Sequence, residues 1–122
     1  MNSFIVLYKV DVKYAAGCED RVALIQNKVQ LKCETGTKIV ILKADFGRDK
    51  YSIACDSEYH SGSLCTNRIE TETILKDLCG NKQSCNISVS TDNFPDPCPN
   101  VVKLLRVWYQ CVGEGKSNFH YD

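Results

Sequence analysis

The sequence predicts a mainly β protein with one or two short helices (α+β), built as a small antiparallel β-sandwich with long loops tied by four disulfides. Three observations predict it: eight cysteines are spread along 122 residues, several short segments alternate apolar and polar residues, and one segment has the pattern of a capped helix. A chain of this length forms one domain and buries roughly 60–70% of its unfolded surface.

The eight cysteines indicate the class of protein. No C-x-x-C occurs, and neither histidine stands at a zinc-finger distance from a second one, so the usual zinc and thioredoxin-like spacings are absent. An even number of cysteines in a small domain is typical of disulfides formed outside the cytosol. We therefore predict an extracellular or cell-surface ectodomain, although spacing alone does not choose among the possible pairings.

The first residues, 1–17, are interpreted as an N-terminal strand and its flank. Apolar and other residues alternate between Phe4 and Lys13, with the period of a strand. Small residues before Cys18 are also typical of a signal-peptide cleavage site, but a basic n-region is missing and charged residues interrupt the apolar stretch. The sequence thus favours a strand in a processed chain or an excised domain.

Four further segments have strand patterns. Residues 22–33 read as two short strands around a turn at Asn27–Lys28, and 37–47 is rich in β-branched residues between two glycines. Residues 84–90 alternate strictly, and 103–111 form the last strand. The side chains predicted to face the core from these strands are Val29, Leu31, Cys33, Cys85, Ile87, Val89, Leu105, Val107, Tyr109 and Cys111. Residues 112–122 are predicted to be a flexible tail or linker.

One helix is predicted over 67–79. Asn67 is a good N-cap, and Glu70 stands three residues later as its capping-box partner. Gly80 follows as a left-handed C-terminal cap. The apolar stripe consists of Ile74, Leu75 and Leu78.

Charge and motifs exclude several functions. Fifteen basic and fifteen acidic residues leave no net charge, so nucleic acid is not the predicted partner. The apolar runs are too short to span a bilayer, so we predict no membrane span in this chain. No catalytic serine, metalloprotease or phosphate-loop motif occurs, and no Asp/Asn-rich calcium loop. The expectation is a binding domain that is not an enzyme and needs no cofactor or metal.

The stretch DNFPDPCPN (92–100) places Asp96 between two prolines and beside Cys98. Both prolines have a fixed φ, and a residue before proline is biased to extended geometry. A tight turn is one interpretation. The other is a binding site for a ligand with many hydroxyls, because a fixed carboxylate can accept hydrogen bonds from two vicinal hydroxyls without an ordering cost.

The order of motifs resembles the SUEL-type (rhamnose- or galactose-binding) lectin domain, as in egg lectins, latrophilin ectodomains and the C-termini of plant β-galactosidases. The motifs are Cys18-Glu19, LKCETGTKI, ADFGRDKYSIAC, CGNKQSC, DPCP and VWYQC, and they cover 18–111. The resemblance implies the disulfides Cys18–Cys55, Cys33–Cys111, Cys65–Cys98 and Cys79–Cys85.

The same resemblance implies a carbohydrate site. Glu19 and Asp96 would accept hydrogen bonds from sugar hydroxyls, and Lys103 would donate one. The alternative role for Arg48 is a buried or bridging guanidinium that orders its own loop. The alternative for Lys103 is a solvent-exposed side chain at the start of a strand. The full set implied is Glu19, Asp45, Phe46, Arg48, Asp96 and Lys103.

Two positions depart from the animal lectins of this family. Phe46 stands where they usually have tyrosine, and Asn100 where they tend to have glycine. The leading prediction is a carbohydrate-binding domain for galactose- or rhamnose-like sugars. The alternatives are a protein-recognition module of a receptor ectodomain, with a cell-surface protein as partner, and an accessory C-terminal domain of a β-galactosidase.

Asn86-Ile87-Ser88 is an N-glycosylation sequon. The strand alternation points Asn86 away from the apolar face, so we expect a glycoprotein when the chain passes through a secretory host. An unmodified sequon is the alternative.

Overall fold

The computed structural model describes residues 11–19, 28–48, 55 and 65–113. Its strands form two antiparallel sheets, one of three strands in the order β1-β5-β3 and one that pairs β2 with β4. This confirms a mainly β fold with antiparallel sheets, and the described residues hold one helix. The elements are β1 (Lys13–Cys18), β2 (Lys28–Lys32), β3 (Thr37–Gly47), α1 (Ile69–Cys79), β4 (Ser84–Ser88) and β5 (Leu104–Gly113).

The inner faces of both sheets and one face of α1 share a single hydrophobic core. Side chains alternate across a strand, so every second residue of β2 and β4 is buried, and in β5 the predicted inward residues Leu105, Val107 and Tyr109 are buried. In β3 the alternation breaks at a bulge between Ile41 and Lys43, where Leu42 is 40% exposed. The predicted inward residues lie in or against this core, and Cys111 is the one that is only partly buried.

All eight cysteines are paired in the combinations implied by the family resemblance. The Cα atoms of each pair lie 5.4–5.7 Å apart. In the chain-entropy model, Cys33–Cys111 contributes about 4–5 kcal/mol because it closes a long loop, and the short Cys79–Cys85 loop about 2–2.5.

The start of α1 differs from the prediction. The helix begins at Ile69 with Arg68 as its N-cap residue and no side-chain capping hydrogen bond, so the prediction that Asn67 caps the helix is wrong. The Asn67 side chain instead donates to the carbonyl oxygen of Pro95 at 3.2 Å. The Asn67 side chain, which local propensity assigns to a helix cap, thus bonds a loop that is distant in sequence. Glu70, its predicted capping-box partner, is exposed.

The buried face and the end of α1 also differ. Leu78, predicted in the apolar stripe, is 39% exposed. Gly80 has φ −58° and not a left-handed conformation, which Asn81 adopts instead with φ 65°. Glycine suits position 80 because a Cβ there would lie 2.5 Å from the carbonyl oxygen of Lys76. The buried residues of the helix are Thr71, Leu75 and Cys79, spaced four apart on one face.

Some predicted elements lie partly or wholly outside the described residues. These are the alternating stretch 4–10, the first of the two strands predicted in 22–33, and the segment 114–122. At the C-terminus, β5 runs through Val112 and Gly113, two residues into the segment predicted as tail. In the described part of the chain, no helix is both long and apolar enough to cross a membrane.

Candidate functional site

Glu19 and Lys103 meet because β1 and β5 are antiparallel neighbours. Cys18, the last residue of β1, pairs with Leu104, the first residue of β5. One step beyond this pair, the Glu19 backbone N–H donates to the Lys103 carbonyl at 2.7 Å. The Lys103 N–H donates to Glu19 Oε1 at 3.0 Å. The ladder therefore fixes the relative position of a carboxylate and an ammonium that are 84 residues apart in sequence.

The Lys103 side chain is completely buried and holds three acceptors together. Its Nζ lies 3.2 Å from Glu19 Oε1 and 2.9 Å from Asp96 Oδ1. It also donates to the carbonyl oxygen of Cys98 at 3.2 Å. An ammonium has three N–H donors, so each of them has an acceptor within the protein. Burying a charge in this way requires such partners, because an unpaired ammonium would be strongly destabilising.

Glu19 and Asp96 form what we call the carboxylate pair. Both bind the same nitrogen, so the two bound oxygens are separated by no more than the sum of their distances from Nζ. The Asp96 side chain is 29% exposed and that of Glu19 is 9% exposed. Among the described residues, neither Oδ2 of Asp96 nor Oε2 of Glu19 has a hydrogen-bond partner. Asp96 therefore presents acceptor capacity at the protein surface, whereas Glu19 is largely buried.

The loop that carries Asp96 is held at several points. Asp96 Oδ1 accepts a hydrogen bond from the Cys98 N–H at 3.0 Å, and Cys98 is bonded to Cys65. On the other side, the Pro95 carbonyl accepts from the Asn67 side chain. Sequence reasoning missed Asn67 as a support of the site, because no local pattern signals a contact across 28 residues.

Residues 98–101 form a tight turn that begins two residues after Asp96. The Val101 N–H donates to the Cys98 carbonyl at 3.3 Å, and Asn100 has φ +70°. Proline in the second position and positive φ in the third define a type II turn. Asparagine adopts the left-handed region more readily than most residues, so the chain keeps a conformation here that suits glycine.

Asp45 lies in a different network from the carboxylate pair. It is 6% exposed, and Arg106 donates to its Oδ2 at 2.7 Å. Its Oδ1 accepts from the Thr66 hydroxyl at 2.7 Å and from the Asn67 N–H at 3.2 Å. Asp45 therefore ties the end of β3 to the segment that leads into α1.

The last two residues of β3, Phe46 and Gly47, and the next residue, Arg48, also make their contacts within the protein. Phe46 is 0% exposed and packs on Phe94, with ring centroids 5.2 Å apart. At Gly47, a Cβ would lie 2.2 Å from the carbonyl oxygen of Cys65. Arg48 is 5% exposed and donates to backbone carbonyls.

Of the six residues implied as a carbohydrate site, the structure thus brings three into one cluster. In this cluster, the ammonium of Lys103 pairs with the carboxylates of Glu19 and Asp96. The other three, Asp45, Phe46 and Arg48, lie in the supporting structure that carries these residues.

The chain is similar in sequence to a known domain family and to two receptor proteins. Residues 31–111 match the model of the family described as "D-galactoside/L-rhamnose binding SUEL lectin domain". Latrophilin Cirl of Drosophila persimilis is 30% identical over 119 residues, which is 96% of this chain and 7% of that protein. Adhesion G protein-coupled receptor L1 of Mus musculus is 31% identical over 85 residues, which is 69% of this chain and 6% of the receptor. The chain therefore spans less than a tenth of the length of these relatives. Its match to the family model, with four disulfides and antiparallel sheets, shows that the chain belongs to the SUEL lectin domain family.

Proposed function

We propose that this domain is a non-catalytic carbohydrate-binding module that accepts a galactose- or rhamnose-like hexose at the carboxylate pair. The observation that carries the proposal is the buried Lys103 ammonium, which holds the carboxylates of Glu19 and Asp96 close together, with Asp96 partly exposed. The description of the family supports the class of ligand.

The chemistry of the pair suits a sugar. An ionised carboxylate only accepts hydrogen bonds, and two neighbouring hydroxyls of a hexose can each donate one. Such charge-assisted hydrogen bonds are stronger than neutral ones. Since Asp96 is the more exposed of the two, it would receive the sugar first, and Glu19 would accept from a hydroxyl that reaches deeper.

Lys103 takes an orienting role in this proposal. Its three donors already have acceptors at Glu19, Asp96 and Cys98, so a direct hydrogen bond to the sugar would require one of these contacts to be given up. The lysine contributes instead by fixing the two carboxylates before the ligand arrives, which lowers the ordering cost of binding.

An NMR titration tests the proposal. We expect galactose or rhamnose to shift the amide signals of residues 18–19 and 96–103 with a dissociation constant of about 1 mM, which corresponds to roughly −4 kcal/mol. Glucose, which differs from galactose only in the orientation of one hydroxyl, is the control sugar. If neither galactose nor rhamnose shifts these amide signals at tens of millimolar, the proposal is wrong.

Replacing Asp96 with asparagine is expected to weaken sugar binding at least about tenfold, because a charge-assisted hydrogen bond contributes about 1.5–3 kcal/mol. Asparagine keeps the side-chain oxygen that accepts from the Cys98 N–H, so the loop should remain folded. The measurement is the same titration. Asp92→Asn is the matched control, since Asp92 is an exposed aspartate of the same loop. Equal affinity in Asp96→Asn and Asp92→Asn would remove Asp96 from the site.

A second candidate function is protein recognition within a cell-surface receptor. It is favoured by the relatives, one of which is named as an adhesion G protein-coupled receptor. An extracellular location would suit both candidates, because four disulfides persist in oxidising compartments. The titration separates them, because a module that binds only protein leaves the carboxylate pair unaffected by either sugar.

We also expect Asn86 to carry an N-glycan when the chain is produced in a secretory host. Asn86 is exposed on β4, opposite the exposed Gln30 of β2. A glycan there would project away from the core. Intact mass before and after glycosidase treatment measures the modification, with Asn86→Gln as control. A mass equal to that of the bare chain would contradict the expectation.

A further inference from the structure

Arg48 reaches the segment that carries Lys103. Its guanidinium is buried, and its Nη1 donates to the carbonyl oxygen of Val102 at 2.9 Å. Val102 is the residue directly before Lys103. A planar guanidinium holds such an acceptor in a fixed direction, because its N–H groups have a rigid geometry.

The same side chain reaches the segment that carries Glu19. Nη2 of Arg48 donates to the carbonyl oxygen of Cys55 at 3.1 Å. Cys55 is bonded to Cys18, the residue directly before Glu19. The guanidinium is therefore linked to Glu19 through one disulfide.

The backbone of Arg48 reaches the third segment. Its N–H donates to the carbonyl oxygen of Cys65 at 2.8 Å. Cys65 is bonded to Cys98, two residues after Asp96. One buried residue thus contacts the three segments that lead to the three charged groups of the site.

The two disulfides alone do not set the distance between the carboxylates. Cys18–Cys55 holds one end of the site and Cys65–Cys98 the other, and each bond joins only its own two segments. Arg48 contacts both Cys55 and Cys65. We infer that Arg48 is a positioning residue, which sets the separation of the Glu19 and Asp96 carboxylates around the Lys103 ammonium without touching the ligand. Its effect on sugar binding rests on the proposed function above.

The signals of the site itself test this role without any ligand. A buried ammonium with three acceptors exchanges its protons slowly, so the Lys103 side chain should give its own ¹H–¹⁵N signal. The carboxyl ¹³C signals of Glu19 and Asp96 report on the two acceptors. We expect Arg48→Gln to shift all three signals and to weaken galactose or rhamnose binding about tenfold or more.

Arg106→Gln is the matched control. Arg106 also carries a guanidinium bound to a carboxylate, that of Asp45, and the hydrogen bonds described for Asp45 go to Thr66, Asn67 and Arg106 rather than directly to Glu19, Asp96 or Lys103. This variant should lose stability and leave the Lys103 ammonium signal in place. A general disturbance of the fold would move the signals in both variants, whereas loss of a positioning contact moves them only in Arg48→Gln.

The outcomes are separate for the two proposals. If the wild-type domain binds neither sugar, the proposed function fails, while the ammonium and carboxyl signals still decide the role of Arg48. Wild-type signals in Arg48→Gln, or equal shifts in Arg106→Gln, would overturn the inference. If Arg48→Gln does not fold, Arg48→Lys serves instead, because its compact ammonium cannot reproduce the two diverging donors. Unchanged site signals in Arg48→Lys would equally overturn it.

Discussion

Replacing Lys103 with methionine is expected to lower the free energy of unfolding by about 3–5 kcal/mol and to abolish sugar binding. The reason is the burial of its partner. Lys103 is 0% exposed and the Glu19 side chain 9%, so the substitution leaves a carboxylate largely out of water without its counter-ion. The Cys98 carbonyl and Asp96 lose the same donor.

Urea unfolding at fixed pH measures this effect. Lys82→Met is the control, because Lys82 is an exposed lysine whose hydrogen bonds are made by its backbone. We expect the control to change stability by less than about 0.5 kcal/mol. Equal stability of the two variants would show that the buried ammonium does not hold the site together.

A double variant refines the expectation. Removing both charges, with Glu19→Gln added to Lys103→Met, eliminates the unpaired buried carboxylate that makes the single variant unstable. Buried ion pairs replaced as a unit often cost far less than a pair broken on one side. The double variant should therefore recover part of the lost stability without recovering sugar binding. A double variant less stable than Lys103→Met would contradict this explanation.

Gly47→Ala is the second variant with a large expected effect. A Cβ at this position would lie 2.2 Å from the carbonyl oxygen of Cys65 and 2.9 Å from the Cα of Thr66. Both are backbone atoms, so no side chain can swing away to make room. The Arg48 N–H also bonds the Cys65 carbonyl, and separating the two segments would break that bond. We expect a loss of about 3 kcal/mol or more, at the upper end for an overpacked site.

Gly36→Ala provides the comparison for Gly47→Ala. Gly36 has φ +88° but open space around its Cα, so alanine there meets conformational strain and no steric overlap. That strain costs about 1 kcal/mol. Urea unfolding of both variants should rank Gly47→Ala well below Gly36→Ala in stability. The reverse order would mean that the close approach at Gly47 relaxes easily.

The local pattern of the sequence predicted the strands with useful accuracy. The bounds 37–47 agree with β3, and the inward faces of β2, β4 and β5 were predicted correctly. Such patterns are readable because side chains alternate with a period of two, whatever the strand packs against. The disulfide pairing was different, since it came from the family resemblance and spacing could not have chosen it.

The ends of the helix show where local reasoning stops. Asn67 and Gly80 are the residues that propensity assigns to the two caps, yet Asn67 holds Pro95 and Gly80 lies against the Lys76 carbonyl. For Asn67 the partner is 28 residues away, so a sequence window around the helix cannot contain that information. For Gly80 the contact is local, and it explains why glycine suits position 80 although the residue is not left-handed.

What the sequence determined by itself, then, is the mainly β character, the faces of the strands, and a fixed aspartate between two prolines. Only the tertiary structure decided which charged residues are buried and which groups they contact. Lys103 was expected to meet either a ligand or solvent and is instead buried against Glu19 and Asp96, while Arg48 is buried against the carbonyls of Val102 and Cys55. Periodicity depends on neighbours in the chain, but the environments of Lys103 and Arg48 also depend on segments 84 and 54 residues away. Segments that far apart in sequence come into contact only when the strands pair and the disulfides form.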